Sequence, residues 1–270
     1  MSSEKRFEFT KENIDLYLKE VAKEYRKHAG KKIPAELVLI GGASVLINYG
    51  FRNMTTDIDA LIQATSAMKE AINRVGDRYG LPNGWLNADF TNTDSYSVKL
   101  SQFSVYYKTY ANIVTIRTVA AEYLIAMKLR SGRQYKSDLS DILGILAEHE
   151  KRELPISMDQ IRSAVTDLYG GWEVLPQSSQ AFIESVMEDG RFEALYEQTA
   201  SGEKEVGALL VQFGQDYPNI ITGKNVNEIA GNLQKKTDRA SILAKLREKK
   251  AEMNQTEQTK AVKERDDRNR

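Results

Sequence analysis

Cysteine is missing altogether, and histidine occurs only twice, at His28 and His149. The first absence excludes disulfides, thiolate metal sites and a cysteine nucleophile. The second removes the imidazoles that a histidine metal centre or a Ser-His-Asp triad would use, so both histidines read as surface or packing residues. An excess of charge of either sign is missing too: Lys plus Arg and Asp plus Glu each number 38. That balance excludes a globally basic nucleic-acid binder and leaves local patches open. No apolar run nears the roughly 20 residues that cross a bilayer, and the opening MSSEKRFEF has no signal-peptide core. The expectation is a soluble, cytoplasmic protein with no membrane association. At 270 residues it can bury a sizeable core and is expected to hold more than one domain.

What is present concentrates between positions 37 and 62. Leu37, Val38, Leu39 and Ile40 form an unbroken β-prone run of the kind a buried strand requires. Gly41 and Gly42 end it. Glycines at a strand-to-helix junction allow a tight turn and close approach of a ligand, and the amides of the following helix favour an anion such as phosphate. Further on, Asp57-Ile58-Asp59 lies in a second apolar run, where a strand period of two sends both carboxylates to one face and Ile58 to the other. Two adjacent carboxylates are costly without a cation, and hard oxygen ligands suit Mg²⁺ that also holds substrate phosphates. Singly, Gly-Gly is also a plain turn and Asp-x-Asp a solvated strand end. In this order and spacing each accounts for the other.

Around this stretch the chain alternates. Thr10 can cap a helix whose apolar stripe is Ile14, Tyr17, Leu18, Val21 and Tyr25. A second helix is expected from Thr65, with Met68, Ala71, Ile72, Val75 and Tyr79 on one side and an end near Gly80 and Pro82. Short β-prone runs at 97–100, 103–107 and 112–117 would extend the sheet. Trp85-Leu86-Asn87 reads either as a buried anchor of its loop or as part of a pocket rim. Residues 119–133 read as one helix, apolar nearly all round, with Lys128 deep within it. Such a lysine either snorkels to solvent or finds acidic residues or phosphates as partners. Asp138 and Asp141, three apart, share a face of the next helix. They either complement its dipole or hold Lys128 or Arg133.

The ordered combination of Gly41-Gly42, Asp57-Ile58-Asp59-Ala60, Trp85-Leu86-Asn87 and Tyr123-Leu124-Ile125-Ala126-Met127-Lys128-Leu129 with Arg133, Asp138 and Asp141 resembles the nucleotidyltransferase superfamily. Within it the chain is similar to the DUF6036 nucleotidyltransferases, which are akin to toxins of the AbiEii type, over about residues 10 to 150. The resemblance implies an α+β fold with a polymerase-beta-like mixed sheet flanked by helices, followed by a helical C-terminal region. It implies Mg²⁺ on Asp57 and Asp59, and nucleotide on Gly41, Gly42, Ser44 and Arg133. Lys128 with Asp138 or Asp141 would complete the catalytic set. Two departures stand out: the arginine common four residues before the first aspartate is replaced by Asn53, with Arg52 one earlier, and Ala88 separates Trp-Leu-Asn from Asp89. Asp89 and Asp94 are the candidates for a third carboxylate.

Glu153-Leu154-Pro155 marks a boundary, giving an expected nucleotidyltransferase-like domain at 1–152 and a helical domain or cap at 153–233. From 234 to 270 charge dominates, with 12 Lys or Arg against 7 Asp or Glu. A charged helix fraying into disorder is expected there, with RNA or partner binding as the alternative. The implied activity is Mg²⁺-dependent transfer of a nucleotide from an NTP to a tRNA-like RNA or a protein, as a toxin or phage-defence component with a cognate antitoxin. The alternative is an inactive module of the same fold that binds nucleotide, RNA or a partner protein.

Overall fold

The computed structural model describes residues 7–30, 32–62, 65–133, 137–218, 220–222, 225–226 and 228–233. Helix α1 (Lys11–Ala29) opens on Thr10, whose hydroxyl accepts from the Asn13 amide while the Asn13 side chain accepts from the Thr10 amide. This reciprocal cap satisfies two otherwise orphaned donors and fixes where the helix starts. Strand β1 (Ala35–Leu39) follows, then α2 (Gly41–Asn48), β2 (Ile58–Ile62), α3 (Ser66–Tyr79) and a short β3 (Leu86–Asn87). The hairpin of β4 (Ser104–Tyr110) and β5 (Val114–Val119) precedes α4 (Ala121–Ser131), α5 (Asp138–Lys151), α6 (Met158–Tyr169), α7 (Gln177–Asp189) and α8 (Phe192–Asp216). The fold is thus α+β, a mixed five-stranded sheet flanked by helices and followed by a helical C-terminal part.

The strands lie in the order β3-β2-β1-β5-β4, with β1 antiparallel to β2 and parallel to β5. Central β1 explains its own composition. Leu37 and Leu39 enter a core shared with α1 and α3, whereas Val38 and Ile40 enter one shared with α4, α5, α6 and α7. A strand covered on both faces needs an apolar residue at every position. On β2, Ile58 and Ala60 join the first core and Leu61 packs against the second. By the period of two, Asp59 therefore shares the face of Leu61, the side of the sheet on which α4 and α5 lie.

Three boundaries differ from the sequence expectation. Residues 97–100 form no strand: the Ser97 hydroxyl donates to the Leu168 carbonyl of α6, Leu100 is fully buried, and Leu100–Phe103 is a single 3₁₀ turn. That segment is tied to the helical layer, so its β-prone residues have no sheet edge to join. The hairpin turns through Ala111 and Asn112, both at positive φ, which places the strands at Ser104–Tyr110 and Val114–Val119. Val119 consequently closes β5. Ala120 stays extended, and the helix expected from Val119 begins at Ala121.

The chain divides into two compact units, Met1–Arg133 with Ser137–Ala200, and Gln134–Lys136 with Ser201–Arg270. In the first, Ile161, Val165 and Leu168 of α6 and Ile183 and Val186 of α7 share one core with α4 and α5. Residues beyond 152 thus contribute to the layer behind the sheet. In the second, Val206 and Leu210 pack with Val226 and Ala230. The charged helix and tail expected over 234–270 lie outside the described residues. Among the described residues, no helix is long and apolar enough to cross a membrane.

Candidate active site

The site begins where β1 hands over to α2. Ile40 is extended and its amide donates to the Asp59 carbonyl at 2.9 Å, which ties the end of β1 to β2. Gly41 then takes φ +54°, a left-handed conformation that a side chain resists, and the helix starts without any side-chain cap. The first amides of such a helix point outward, toward where an anion would sit. A Cβ at Gly41 would stand 3.8 Å from Asp59 Oδ2, so this carboxylate lies directly beside the glycine turn. Asp57, one residue before β2, is exposed, and the Thr55 hydroxyl donates to its Oδ1 at 3.4 Å.

Gly42 is hemmed in. A Cβ there would meet Thr55 Oγ1 at 2.7 Å and Arg52 Nη2 at 3.0 Å, so the missing side chain makes room for both. Thr55 cannot easily yield, because its amide and carbonyl both pair with Phe9. Neither Thr55 nor Arg52 was assigned a role from sequence. The Thr55-x-Asp57 spacing, which puts both on one face of an extended segment, was the available signal for the first.

A second, buried cluster lies behind. Lys128 is only 6% exposed and sits between Asp138 Oδ1 at 3.0 Å and Asp141 Oδ2 at 2.7 Å. Of the two readings for this lysine, the structure takes the paired one and not the snorkel. Asp138 also receives Arg133 Nε at 2.8 Å and the Ser131 hydroxyl at 3.0 Å. Asp141 receives Arg52 Nη1 as well. Burial alone would lower the Lys128 pKa, yet Asp141 and Asp138 hold it above the ordinary lysine value. Burial would raise Asp138, and Lys128 and Arg133 outweigh it, holding that carboxyl far below the usual range. Asp138 and Asp141 also stand in the first turn of α5, where their charge complements the positive end of the helix dipole.

Arg52 links the two clusters. Its loop is laid along one face of α5: Tyr49 Oη contacts His149 Nε2 at 3.1 Å, the Phe51 ring fills the space over Gly144, and Arg52 reaches Asp141. A Cβ on Gly144 would come within 2.6 Å of that ring. His149 is therefore a packing residue, and its burial partner Tyr49 has a phenol pKa pushed up to about 12.

Other expected residues fall elsewhere. Ser44 is fully buried, and its hydroxyl has no hydrogen-bond partner among the described residues. Trp85 is the anchor of its loop: its indole N–H donates to the Ile72 carbonyl, and its ring packs on Phe9 and Tyr17. Asn87 is the register partner of Asp59 across β2 and β3. Its side chain bonds the Asp89 amide and the Gly84 carbonyl, and the chain then turns away, leaving Asp89 and Asp94 exposed. Among the described residues no group of three or more His, Asp or Glu is placed to hold a metal. Neither Asp89 nor Asp94 joins Asp57 and Asp59 as a third carboxylate. Two hard carboxylates beside a glycine turn nevertheless fit Mg²⁺, which commonly takes one or two protein carboxylates and completes its shell with water and substrate phosphates.

A family model for a nucleotidyltransferase of unknown function, DUF6036, matches residues 17–167, from within α1 to within α6. No curated protein and no solved structure gives a significant match. The matched span covers more than half of the chain and contains both carboxylate pairs, the glycine turn, Lys128 and Arg133. The chain therefore belongs to the DUF6036 family of nucleotidyltransferases.

Proposed function

We propose that this protein transfers a nucleotide from an NTP to a hydroxyl on a tRNA-like RNA or a protein, with Mg²⁺ on Asp57 and Asp59. The observation that carries this reading is the placement of Asp59 Oδ2 beside Gly41, at the uncapped start of α2. A triphosphate on those amides would have its phosphates within reach of the carboxylate pair. Bound Mg²⁺ would supply charge neutralisation of the triphosphate and a more acidic acceptor hydroxyl. Gly41 keeps the phosphate approach free of a side chain, and Gly42 makes room there for Thr55 and Arg52. Asp57 and Asp59 would hold the Mg²⁺ that neutralises the phosphates, and Lys128, Asp138, Asp141 and Arg133 brace α4 and α5 behind them. As the acceptor hydroxyl releases its proton to water and its oxygen bonds to the α-phosphorus, the bond from that phosphorus to the α,β-bridging oxygen breaks and pyrophosphate leaves.

A toxin or phage-defence role, held in check by a cognate antitoxin in the cytoplasm, would follow from the likeness to AbiEii-type toxins. One observation favours a second reading, a non-catalytic module that binds nucleotide or RNA: no third carboxylate joins Asp57 and Asp59 among the described residues. Incubating the full chain with labelled NTPs, Mg²⁺ and total RNA or lysate separates the two. Wild type should label an acceptor, and Asp57→Ala and Asp59→Ala should not. Label that persists in both variants overturns the mechanism, and tight Mg-NTP binding without transfer selects the second reading.

A further inference from the structure

The geometry points to Arg52, and not Lys128, as the cation that contacts the substrate's phosphates, with Asp141, Lys128 and Gly144 positioning it. This inference rests on the nucleotidyl-transfer reading of the glycine turn and carboxylate pair.

The first ground is how each cation is committed. Lys128 is buried and directed at two carboxylates, in contact with Asp138 and Asp141. Arg133 is engaged by Asp138. Arg52 is fixed at two of its three nitrogens, Nε on the Met54 carbonyl at 3.1 Å and Nη1 on Asp141. Its Nη2 makes no hydrogen bond among the described residues, and it lies 3.0 Å from where a Cβ on Gly42 would be. The Arg52 side chain keeps 20% of its surface exposed. A planar guanidinium held this way has one donor edge left, and that edge lies over the glycine at the start of α2.

The second ground is charge. Among the described residues, Arg52, Lys128 and Arg133 face Asp138 and Asp141, three cations to two carboxylates. Arg52 is the member that reaches the α2 N-terminus, so it delivers positive charge where an anion would bind. The third ground is preorganisation. Three contacts along α5, at Asp141, Gly144 and His149, hold the loop from Tyr49 to Arg52, so little side-chain freedom remains to be lost on binding.

The test is equilibrium binding of each common ribonucleoside triphosphate, its monophosphate and inorganic tripolyphosphate to the full chain in Mg²⁺. Thermal melting is followed alongside. Arg52→Lys keeps a positive charge for Asp141 and removes the fork. It should melt near wild type, yet lose about tenfold in affinity for triphosphate and tripolyphosphate with monophosphate affinity unchanged. Gly144→Ala, which must displace the Phe51 ring, should produce the same loss of triphosphate preference with Arg52 intact. Arg52→Lys binding triphosphate like wild type, while Asp59→Asn loses Mg²⁺-dependent binding, would overturn the role of Arg52 and leave the proposed function standing. Equal loss of tri- and monophosphate with a lowered melting temperature would mark Arg52 as structural only, and overturn it too. Wild type that binds no triphosphate or tripolyphosphate overturns both readings.

Discussion

The molecule carries two pairs of aspartates within the family-matched span, and the environment sets them apart. Asp57 and Asp59 sit at the start of β2, exposed and half-buried, beside the uncapped turn of α2. Asp138 and Asp141 are each 2% exposed and are filled by Lys128, Arg52 and Arg133. The same carboxylate chemistry thus stands partly open beside a glycine turn in one place and as a buried ion-pair cluster in the other. What differs is how far each pair is withdrawn from water. A buried carboxylate must have a countercharge inside the protein, because its desolvation costs several kcal/mol; under the proposed function the open pair would share its charge with a metal and a substrate.

The sharpest way to break this contrast is to neutralise one member of each pair's surroundings and read both activity and stability. Asp59→Asn should lower Mg²⁺-dependent nucleotide transfer on the order of a thousandfold, since metal-borne charge stabilisation is worth several kcal/mol. Its unfolding free energy in urea should fall by about 1 kcal/mol or less, well below the cost of breaking a buried ion network. A large stability loss there would mean that Asp59 is a structural brace as well.

Lys128→Met should do the reverse. Removing the cation strands two buried carboxylates, and breaking such a network costs roughly 3–5 kcal/mol. Arg52 and Arg133 remain on Asp141 and Asp138, which places the expected cost near the lower figure. Urea denaturation of the variant checks it. A near-neutral result would show that the two arginines alone satisfy the pair.

Much of the open pair was legible in the sequence, because its parts are local: a strand, a glycine turn and a carboxylate spacing of two are all read along one segment. The fold class was implied by the family likeness that these motifs carry. The buried brace was legible only as a need. Lys128 in an apolar helix demanded a partner, and Asp138 and Asp141 were available, yet their pairing depends on how α4 and α5 cross. Arg52 was noticed only as a displaced residue, since its contact with Asp141 spans 89 positions. The missing strand at 97–100 failed for a related reason: β-prone composition cannot tell a sheet edge from a segment that Ser97 ties to α6.

Acid and salt should separate the buried brace from a carboxylate whose cationic partners are exposed. Asp138 titrates below its ordinary value in the fold, so its stabilisation is complete above the unfolded carboxylate pKa near 4 and is lost as pH falls below that. Glu24 behaves alike in sign: bonds from Lys27 and Arg78 hold it at about 2 against an ordinary 4.5, so its contribution fades between those values. Its partners, however, are largely exposed. Raising salt to 1 M should therefore flatten the part of the acid limb removed by Glu24→Gln and leave the part removed by Asp138→Asn. Urea unfolding between pH 5 and pH 2.5 measures both, and equal salt sensitivity would mean that the Lys128 cluster is open to water.

The smallest effect concerns the backbone that sets the open pair in place. Gly41 has φ +54°, and a Cβ there would be in ordinary contact, 3.8 Å, with Asp59 Oδ2. Gly41→Ala should thus cost about 1–2 kcal/mol through conformation alone, with no clash to relieve. Asn enters the left-handed region more readily than Ala, so Gly41→Asn should be the more stable of the two. Its amide would nevertheless stand at the mouth beside Asp59, so triphosphate binding should weaken more in the Asn variant than in the Ala one. The opposite ranking of stability and binding in these two variants is what a site built for ligand approach predicts. Parallel rankings would reduce Gly41 to a turn residue.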